Sequence, residues 1–326
     1  MSKCQATQLS ARLPPLRCSR AVSTWQHARV NHYRANKPGV LPPDGSPTIG
    51  GFTLSAGRRF TPPGAGEPVL WLTNETPGPY LGRPPIVDLY AGLRRQFTTS
   101  GLWPLLVCRE RQNETEEEWL ADQLDPRAAS NPDAVDVLSL LAPVYAEEIG
   151  RDWPPWVHAT LPSELNRLAE PVAGDYDESY IEDLVDNRYM NRLALVPVTR
   201  PADVLLVLGW QGAQHRHCHY DPGQVTAVLR GLEDRFGAMP VTLRPGAFEL
   251  AAQRPPTSHD QIRLLVAEAS AFAYRLGAEA YDEEAFDITS EASAHRGGCS
   301  GGTVFDSLRP HTPESVLSTH VGHAAT

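Results

Sequence analysis

The stretch from Asp221 to Gly237, DPGQVTAVLRGLEDRFG, predicts one complete α-helix and constrains the fold more than any other part of the chain. Asp221 is a favourable N-cap, and Pro222 stands at the first helical position, where its missing N–H removes no hydrogen bond. Gly237 suits the left-handed conformation that commonly ends a helix. The apolar residues between these ends recur at helical spacing: Val225, Val228, Leu229, Leu232 and Phe236. The segment therefore predicts an amphipathic helix with both ends defined.

The rest of the ordered region alternates between strand-like and helix-like patterns. Apolar runs predict strands over 68–72, 102–107 and 193–198 and a hairpin over 241–250. Helical spacing predicts helices over 84–97, 131–141, 201–208 and 262–276. Pro104 favours an edge strand or a bulge, and residues 110–130 have charge but no clear periodicity. The order of elements in the C-terminal half favours an α+β fold, with a mixed or antiparallel sheet and helices mainly on one face.

Composition along the chain predicts one domain between two tails. Residues 1–49 are predicted to be a disordered basic extension, because residues 1–43 hold seven Lys and Arg, no acidic residue and no apolar periodicity. Residues 50–276 are predicted to form a single α+β domain. Residues 277–326 are rich in Ser, Gly, His and Thr and are predicted to be a mostly disordered tail.

Several classes of protein are excluded by residue usage. Lys3 and Lys37 are the only lysines, so a phosphate-loop, Schiff-base or kinase-type lysine beyond Lys37 is ruled out. The five cysteines never form a CxxC pair, which indicates the reducing cytoplasm rather than a disulfide framework. No run of about 18 apolar residues occurs, so no membrane span is expected.

The charge beyond residue 43 indicates what kind of partner the protein can have. This part of the chain holds 22 basic against 39 acidic residues. Such a surface repels nucleic acid and favours a basic protein partner, with which association would be electrostatically steered. The leading hypothesis is therefore a cytoplasmic, non-catalytic protein-binding module with an acidic surface.

Several segments resemble one bacterial family, the domain of unknown function DUF4253. LRGLEDRFGA, at residues 229–238, is similar to the family's "LRxWEDRFGA" signature. LALVPVTRPADVLLVLGWQG and the Arg254-Pro255-Pro256 step are also similar to the family. The resemblance covers residues 50–276, with its core over 193–256, and it implies a fold without implying a reaction.

Glu233, Asp234 and Arg235 are candidate binding residues, because they lie in this signature at the end of the long helix. Their consecutive positions fan them around the helix. In one interpretation a carboxylate and the arginine face a ligand or partner. In the other they fix packing: Arg235 pairs with a loop carboxylate, Glu233 holds a backbone amide, and Arg230 pairs with Asp234 at i, i+4. Trp210 is a further binding candidate, since the polar loop that follows it could place it at the mouth of a cleft.

The loop before the long helix holds candidate metal ligands. His215, His217 and His219 alternate along it, and imidazole is a common zinc ligand. The alternative function is therefore a metal-dependent hydrolase that uses this loop with Glu233 or Asp234. No side chain is a candidate catalytic residue, and no cofactor is expected unless this loop binds zinc.

Overall fold

The computed structural model describes residues 33–74, 86–108, 116–149, 161–172, 191–211, 220–254, 256 and 258–275. Contacts between residues divide the chain into Met1–Asn31 and His32–Thr326, and every described residue lies in the second unit. None of the helices in the described ranges is long and apolar enough to cross a membrane.

The described residues form eight strands and six helices. The strands are β1 (Thr48–Ile49), β2 (Phe52–Thr53), β3 (Gly57–Phe60), β4 (Leu70–Thr73), β5 (Leu102–Cys108), β6 (Asn191–Pro197), β7 (Ala238–Arg244) and β8 (Ala247–Ala252). The helices are α1 (Ile86–Ser100), α2 (Glu116–Gln123), α3 (Val137–Ile149), α4 (Val204–Leu208), α5 (Pro222–Phe236) and α6 (His259–Arg275). Short 3₁₀ turns cover Pro126–Ala128, Pro132–Ala134 and Pro201–Asp203.

Six strands form one mixed sheet in the order β3-β4-β6-β5-β7-β8. Only the β5–β7 pair is parallel. Both β4 and β5 are buried at every position, so both faces of the sheet are covered there. The predicted α+β class with a mixed sheet is confirmed.

Pro104 lies in a central strand, which corrects the prediction of an edge strand or bulge. It is opposite Leu195 in the antiparallel β5–β6 ladder. On its other side, β5 pairs with β7 only at Leu106 and Val107. Pro104 therefore lies beyond the paired part of the β5–β7 ladder, so its missing N–H falls outside the paired positions of that ladder.

Residues 33–49 pack on the domain, so the boundary predicted at residue 49 comes too late. Tyr33, Ala35 and Leu41 are all buried in the main apolar core. The backbone N–H of Ala35 donates to the carbonyl of Thr199 at 2.9 Å. Apolar side chains that are sparse and aperiodic in sequence can still fill core positions, which is why periodicity did not reveal them. The predicted tail from residue 277 lies outside the described residues and stays a prediction.

Two helices differ from expectation. Helix α2 lies within the stretch expected to lack pattern, and its buried side chains are Glu116, Trp119, Leu120 and Gln123. Asn131 caps a 3₁₀ turn instead of the predicted helix, and α3 begins only at Val137 and continues through Pro143. The N–H of Ser139 donates to the Asp136 carboxylate at 3.2 Å, which gives α3 a side-chain acceptor at its start.

Helix α5 confirms the prediction from Asp221 to Gly237. The Asp221 carboxylate accepts from the N–H groups of Gly223 and Gln224, and the Gln224 side chain accepts from the Asp221 N–H in return. This capping box satisfies N–H groups that a helix start otherwise leaves unpaired. At the other end, Gly237 adopts a left-handed conformation with φ of 63°.

Replacing Asp221 with alanine is expected to lower the free energy of unfolding by about 1–2 kcal/mol, because the cap is lost. Asp221 also accepts hydrogen bonds from the backbone and hydroxyl of Ser130, at 3.2 and 2.7 Å. Burial alone would raise the pKa of Asp221, but the hydrogen bonds from Ser130, Gly223 and Gln224 outweigh it and lower the pKa. The ionised carboxylate therefore stabilises the fold above the ordinary aspartate pKa, and this contribution is lost as the pH falls through the lowered value.

Urea unfolding of Asp221→Ala and Asp221→Asn at neutral and acidic pH checks this prediction. Asparagine caps helices about as well as aspartate, so Asp221→Asn should retain most of the stability at neutral pH. A loss in Asp221→Ala that does not shrink on acidification would contradict the role assigned to the ionised carboxylate.

Candidate functional site

The candidate site is a cluster of charged side chains at the C-terminal end of α5. We call Arg34, Arg200, Glu233 and Asp234 the charge cluster. Arg34 comes from the N-terminal segment, and Arg200 comes from the connection between β6 and the 3₁₀ turn. The cluster thus joins three parts of the chain that are far apart in sequence.

Arg200 bridges the two carboxylates of the cluster. Its Nε donates to Glu233 Oε2 at 2.5 Å, and its Nη2 donates to Asp234 Oδ1 at 2.9 Å. The same Nη2 also donates to the carbonyl of Arg230 at 3.1 Å. Since Arg200 meets both a helix terminus and an adjacent carboxylate, it neutralises Glu233 and holds the β6 connection against α5.

Arg34 adds a second, more exposed positive charge. Its Nη2 lies 3.2 Å from Asp234 Oδ1 and 3.9 Å from Glu233 Oε2. The side chains of Arg34 and Asp234 are 39% and 58% exposed, whereas that of Glu233 is 2% exposed. The cluster is electrically balanced only when both carboxylates are ionised.

Glu233 is the buried member of the cluster. Burial raises the pKa of Glu233 to about 7, although Arg200 and Arg34 act to lower it, and the neighbouring Asp234 raises it further. Its Oε1 atom is buried and accepts no hydrogen bond from the described residues. Glu233 therefore changes charge near neutral pH, inside the fold and bound to Arg200.

Arg235 points to a different cluster. Its Nη1 and Nη2 donate to the two oxygens of Glu268 on α6, at 2.9 and 2.7 Å. Its Nη1 also donates to the carbonyl of Ala169 at 3.0 Å, and the Ala169 N–H donates to Glu268 at 2.5 Å. Arg235 is thus enclosed between α5, α6 and the segment at Ala169, in a structural position.

The predicted pairings of the signature residues were wrong. The partner of Arg235 is on a helix and not in a loop, and Glu233 accepts from a guanidinium and not from a backbone amide. Arg230 does not pair with Asp234. It pairs instead with Asp203 and Asp133, each at 2.6 Å, because these carboxylates come from the elements that pack against α5.

Trp210 occupies a core position. It is 2% exposed, and its ring packs edge-on against Phe248 with the centroids 5.1 Å apart. Leu124 forms an antiparallel backbone bridge with it. In this structure, the predicted binding role would require Trp210 to become uncovered.

The predicted zinc ligands His215, His217 and His219 lie outside the described residues. Within the described residues, no group of three or more His, Cys, Asp or Glu side chains is placed to hold a metal ion. The zinc site therefore stays a prediction, and so does the hydrolase that depends on it.

A second feature is the acidic character of residues 116–149, which we call the acidic segment. It holds nine carboxylates and one basic residue, Arg127. Arg127 pairs with Asp125 at 2.9 Å, and Glu116 and Glu117 pair with Arg192. The exposed carboxylates of the segment are Glu118, Asp122, Asp133, Asp136 and Glu147.

Three residues that complete these clusters were not predicted from the sequence: Arg34, Arg200 and Glu268. Arg200 stands in the TRPAD part of a segment that was already recognised as family-like. The local signal there was one charged residue directly before a helical turn. Neither Arg34 nor Glu268 has a comparable local signal, because their partners are distant in sequence.

The comparisons with known proteins agree with the position of these clusters. The family model described as a domain of unknown function (DUF4253) matches residues 192–293. Comparison with curated proteins and with solved structures gives no match. The matched segment starts in β6 and includes Arg200, Glu233, Asp234, Arg235 and Glu268. The predicted resemblance is confirmed over residues 192–293, which match the model of the DUF4253 family.

Proposed function

We propose that this protein is a non-catalytic, cytoplasmic binding module that recognises a basic protein partner through the acidic segment. The observation that carries the proposal is the charge of residues 116–149, nine carboxylates against one arginine that is itself paired. Complementary charge of this kind accelerates encounter and selects partners of opposite sign.

The position of the acidic segment supports this role. Its 3₁₀ turns and α3 contact α4, α5 and α6, so the segment rests on the family-matched part of the chain. The side chain of Asp133 is 79% exposed even though it pairs with Arg230. A partner can therefore meet these carboxylates without any change in the core.

The signature residues support a scaffold role for α5. Glu233 and Arg235 are buried and engaged with Arg200 and Glu268, which leaves neither of them at an accessible surface. The stability of the fold would then depend on Glu233 and Arg235, and binding of the partner would depend on the acidic segment. Nothing in the described residues favours the hydrolase over this function.

A capture experiment with two charge-matched variants tests the proposal. The first variant is Glu118→Gln/Asp122→Asn/Asp136→Asn, which removes three exposed carboxylates from the acidic segment. The second is Glu67→Gln/Asp88→Asn/Glu164→Gln, which removes three exposed carboxylates elsewhere. Immobilised full-length wild type is expected to retain a basic protein from lysate at low salt and to release it at high salt.

Retention of that protein should fall at least about tenfold in the first variant and little in the second, since both have the same net charge. Circular dichroism and urea unfolding of each bait confirm that it is folded. If a folded wild-type bait retains no basic protein, or if both variants lose it equally, the acidic segment is not a specific binding surface.

A further inference from the structure

The N-terminal residues 33–43, which we call the strap, cross one end of the sheet. The N–H of Ala35 donates to Thr199, directly after β6, and the N–H of Gly39 donates to the carbonyl of Gly101 at 2.8 Å, directly before β5. The strap passes so close to Gly101 that a Cβ atom there would overlap the backbone of Gly39 and Lys37.

The two ends of the strap are held by different kinds of contact. At its C-terminal end, Arg59 donates to the carbonyls of Leu41 and Pro42, and the indole of Trp71 donates to that of Pro43. At its N-terminal end, the side chain of Arg34 reaches the charge cluster on α5. The C-terminal end accepts hydrogen bonds at carbonyls that do not titrate, whereas at the N-terminal end an exposed ion pair of Arg34 accompanies the backbone hydrogen bond of Ala35.

Release of the N-terminal end would uncover aromatic surface. The Tyr33 ring packs edge-on against Trp103 with the centroids 5.6 Å apart, and the Arg94 guanidinium lies 5.6 Å from the Tyr33 ring centroid. Trp103 is fully buried, and its other edge-on contact is with Phe97 of α1. Tyr33 is therefore one of the side chains that cover Trp103.

We propose that residues 33–39 are the releasable end of the strap, and that protonation of Glu233 in the charge cluster favours its release. When Glu233 loses its charge, Arg34 and Arg200 share the single carboxylate of Asp234. Arg200 is the more buried of the two arginines and holds its hydrogen bond to the Arg230 carbonyl, so Arg34 is the one that is displaced.

The sign of the pH dependence follows from the contact between Arg34 and Glu233. Arg34 lowers the pKa of Glu233, so the open strap raises the affinity of Glu233 for a proton. Lower pH therefore favours opening. The other charged groups that face Glu233 from α5 and its neighbours are Arg200, Asp234 and Arg230 with its partners Asp203 and Asp133, and they stay in place in both forms.

Amide hydrogen exchange of the full chain tests this proposal. The reporters are the N–H groups of Ala35 and Gly39, and the reference is the N–H of Leu54, which donates to Pro47 outside the strap. After correction for the intrinsic pH dependence of exchange, the reporters of the wild type should exchange roughly fivefold faster at pH 6 than at pH 8, relative to the reference.

Three variants distinguish the ion pair between Arg34 and the charge cluster from other effects of charge on the strap. Glu233→Gln mimics the protonated carboxyl, so its reporters at pH 8 should exchange as those of the wild type do at pH 6. Arg34→Gln should exchange fast at both pH values. Lys37→Gln removes an equal charge from an exposed position of the same strap and should behave as the wild type does.

Two results would overturn the proposal. One is a wild type whose corrected exchange at Ala35 and Gly39 is the same at both pH values. The other is equal exchange in Arg34→Gln and Lys37→Gln, which would show that the ion pair does not hold the strap.

Discussion

Replacing Glu268 with alanine is expected to lower the free energy of unfolding by about 3–5 kcal/mol. The change leaves the Arg235 guanidinium without its carboxylate, and the side chains of Arg235 and Glu268 are only 11% and 2% exposed. It also leaves the buried Ala169 N–H without its acceptor. An unpaired charge inside a protein costs far more than a lost surface pair, because water cannot replace the missing partner.

Asp260→Ala is the matched control, since it removes a carboxylate from the same helix. Asp260 is 81% exposed and lies 4.0 Å from Arg263 in an i, i+3 pair, which should contribute less than about 1 kcal/mol. Urea unfolding gives the loss in free energy of unfolding for each variant. The dependence of that free energy on urea concentration should be compared between the two. Similar losses in both would mean that the Arg235–Glu268 pair does not behave as a buried contact.

Replacing Gly209 with alanine is expected to lower the free energy of unfolding by about 2–5 kcal/mol. Gly209 ends α4 in a left-handed conformation with φ of 61°. An added Cβ would also overlap the backbone of Asp125 and Pro126, which cannot move aside as a flexible side chain can. The close approach is required by the hydrogen bond from the Asp125 N–H to the Gly209 carbonyl, at 2.8 Å.

Gly51→Ala separates the cost of the left-handed backbone conformation from the cost of steric overlap. Gly51 has a φ of +88°, but an added Cβ there would meet no atom within 4 Å, so only the conformational cost of about 1–2 kcal/mol applies. Thermal and urea unfolding of the two variants should show Gly209→Ala to be the more destabilised. Equal losses would mean that the connection around Asp125 relaxes to admit the methyl group.

The helix α5 could be predicted from sequence because all of its signals are local. Asp221, Pro222 and Gln224 define its start within four residues, and Gly237 defines its end. The hairpin of β7 and β8 was predictable for the same reason, since its strands are joined directly. Periodicity and capping rules detect elements whose start, end and buried face are all determined by residues within the element.

Helix α2 could not be predicted in this way, because half of its inward face is polar. Glu116 pairs with Arg192, and the Gln123 side chain accepts from the N–H of Gly246 at 2.8 Å. These partners come from β6 and from the β7–β8 turn, so the reason for burying Glu116 and Gln123 lies outside the helix. An apolar stripe is absent even though the helix has a buried side.

The ion-pair partners in the charge clusters could not be predicted from the sequence for a related reason. The local rule for helices predicted a pair between Arg230 and Asp234, four residues apart. In the fold, Asp203 and Asp133 reach Arg230, and Arg34 reaches Asp234 across 200 residues of chain. The residue types of the site were identified from the signature, whereas their partners depend on how the sheet brings distant segments together.

The order of strands in the sheet has a consequence for how the protein is made. Strands β4 and β5 come early in the chain, but neither pairs with the other, and both pair with β6. During synthesis neither strand can therefore form its native pair with β6 until residues 191–197 have left the ribosome. Their side chains are wholly buried in the finished domain, so the growing chain exposes two apolar strands throughout this interval. A pause in translation before β6 would prolong the period in which the nascent protein can aggregate or recruit chaperones.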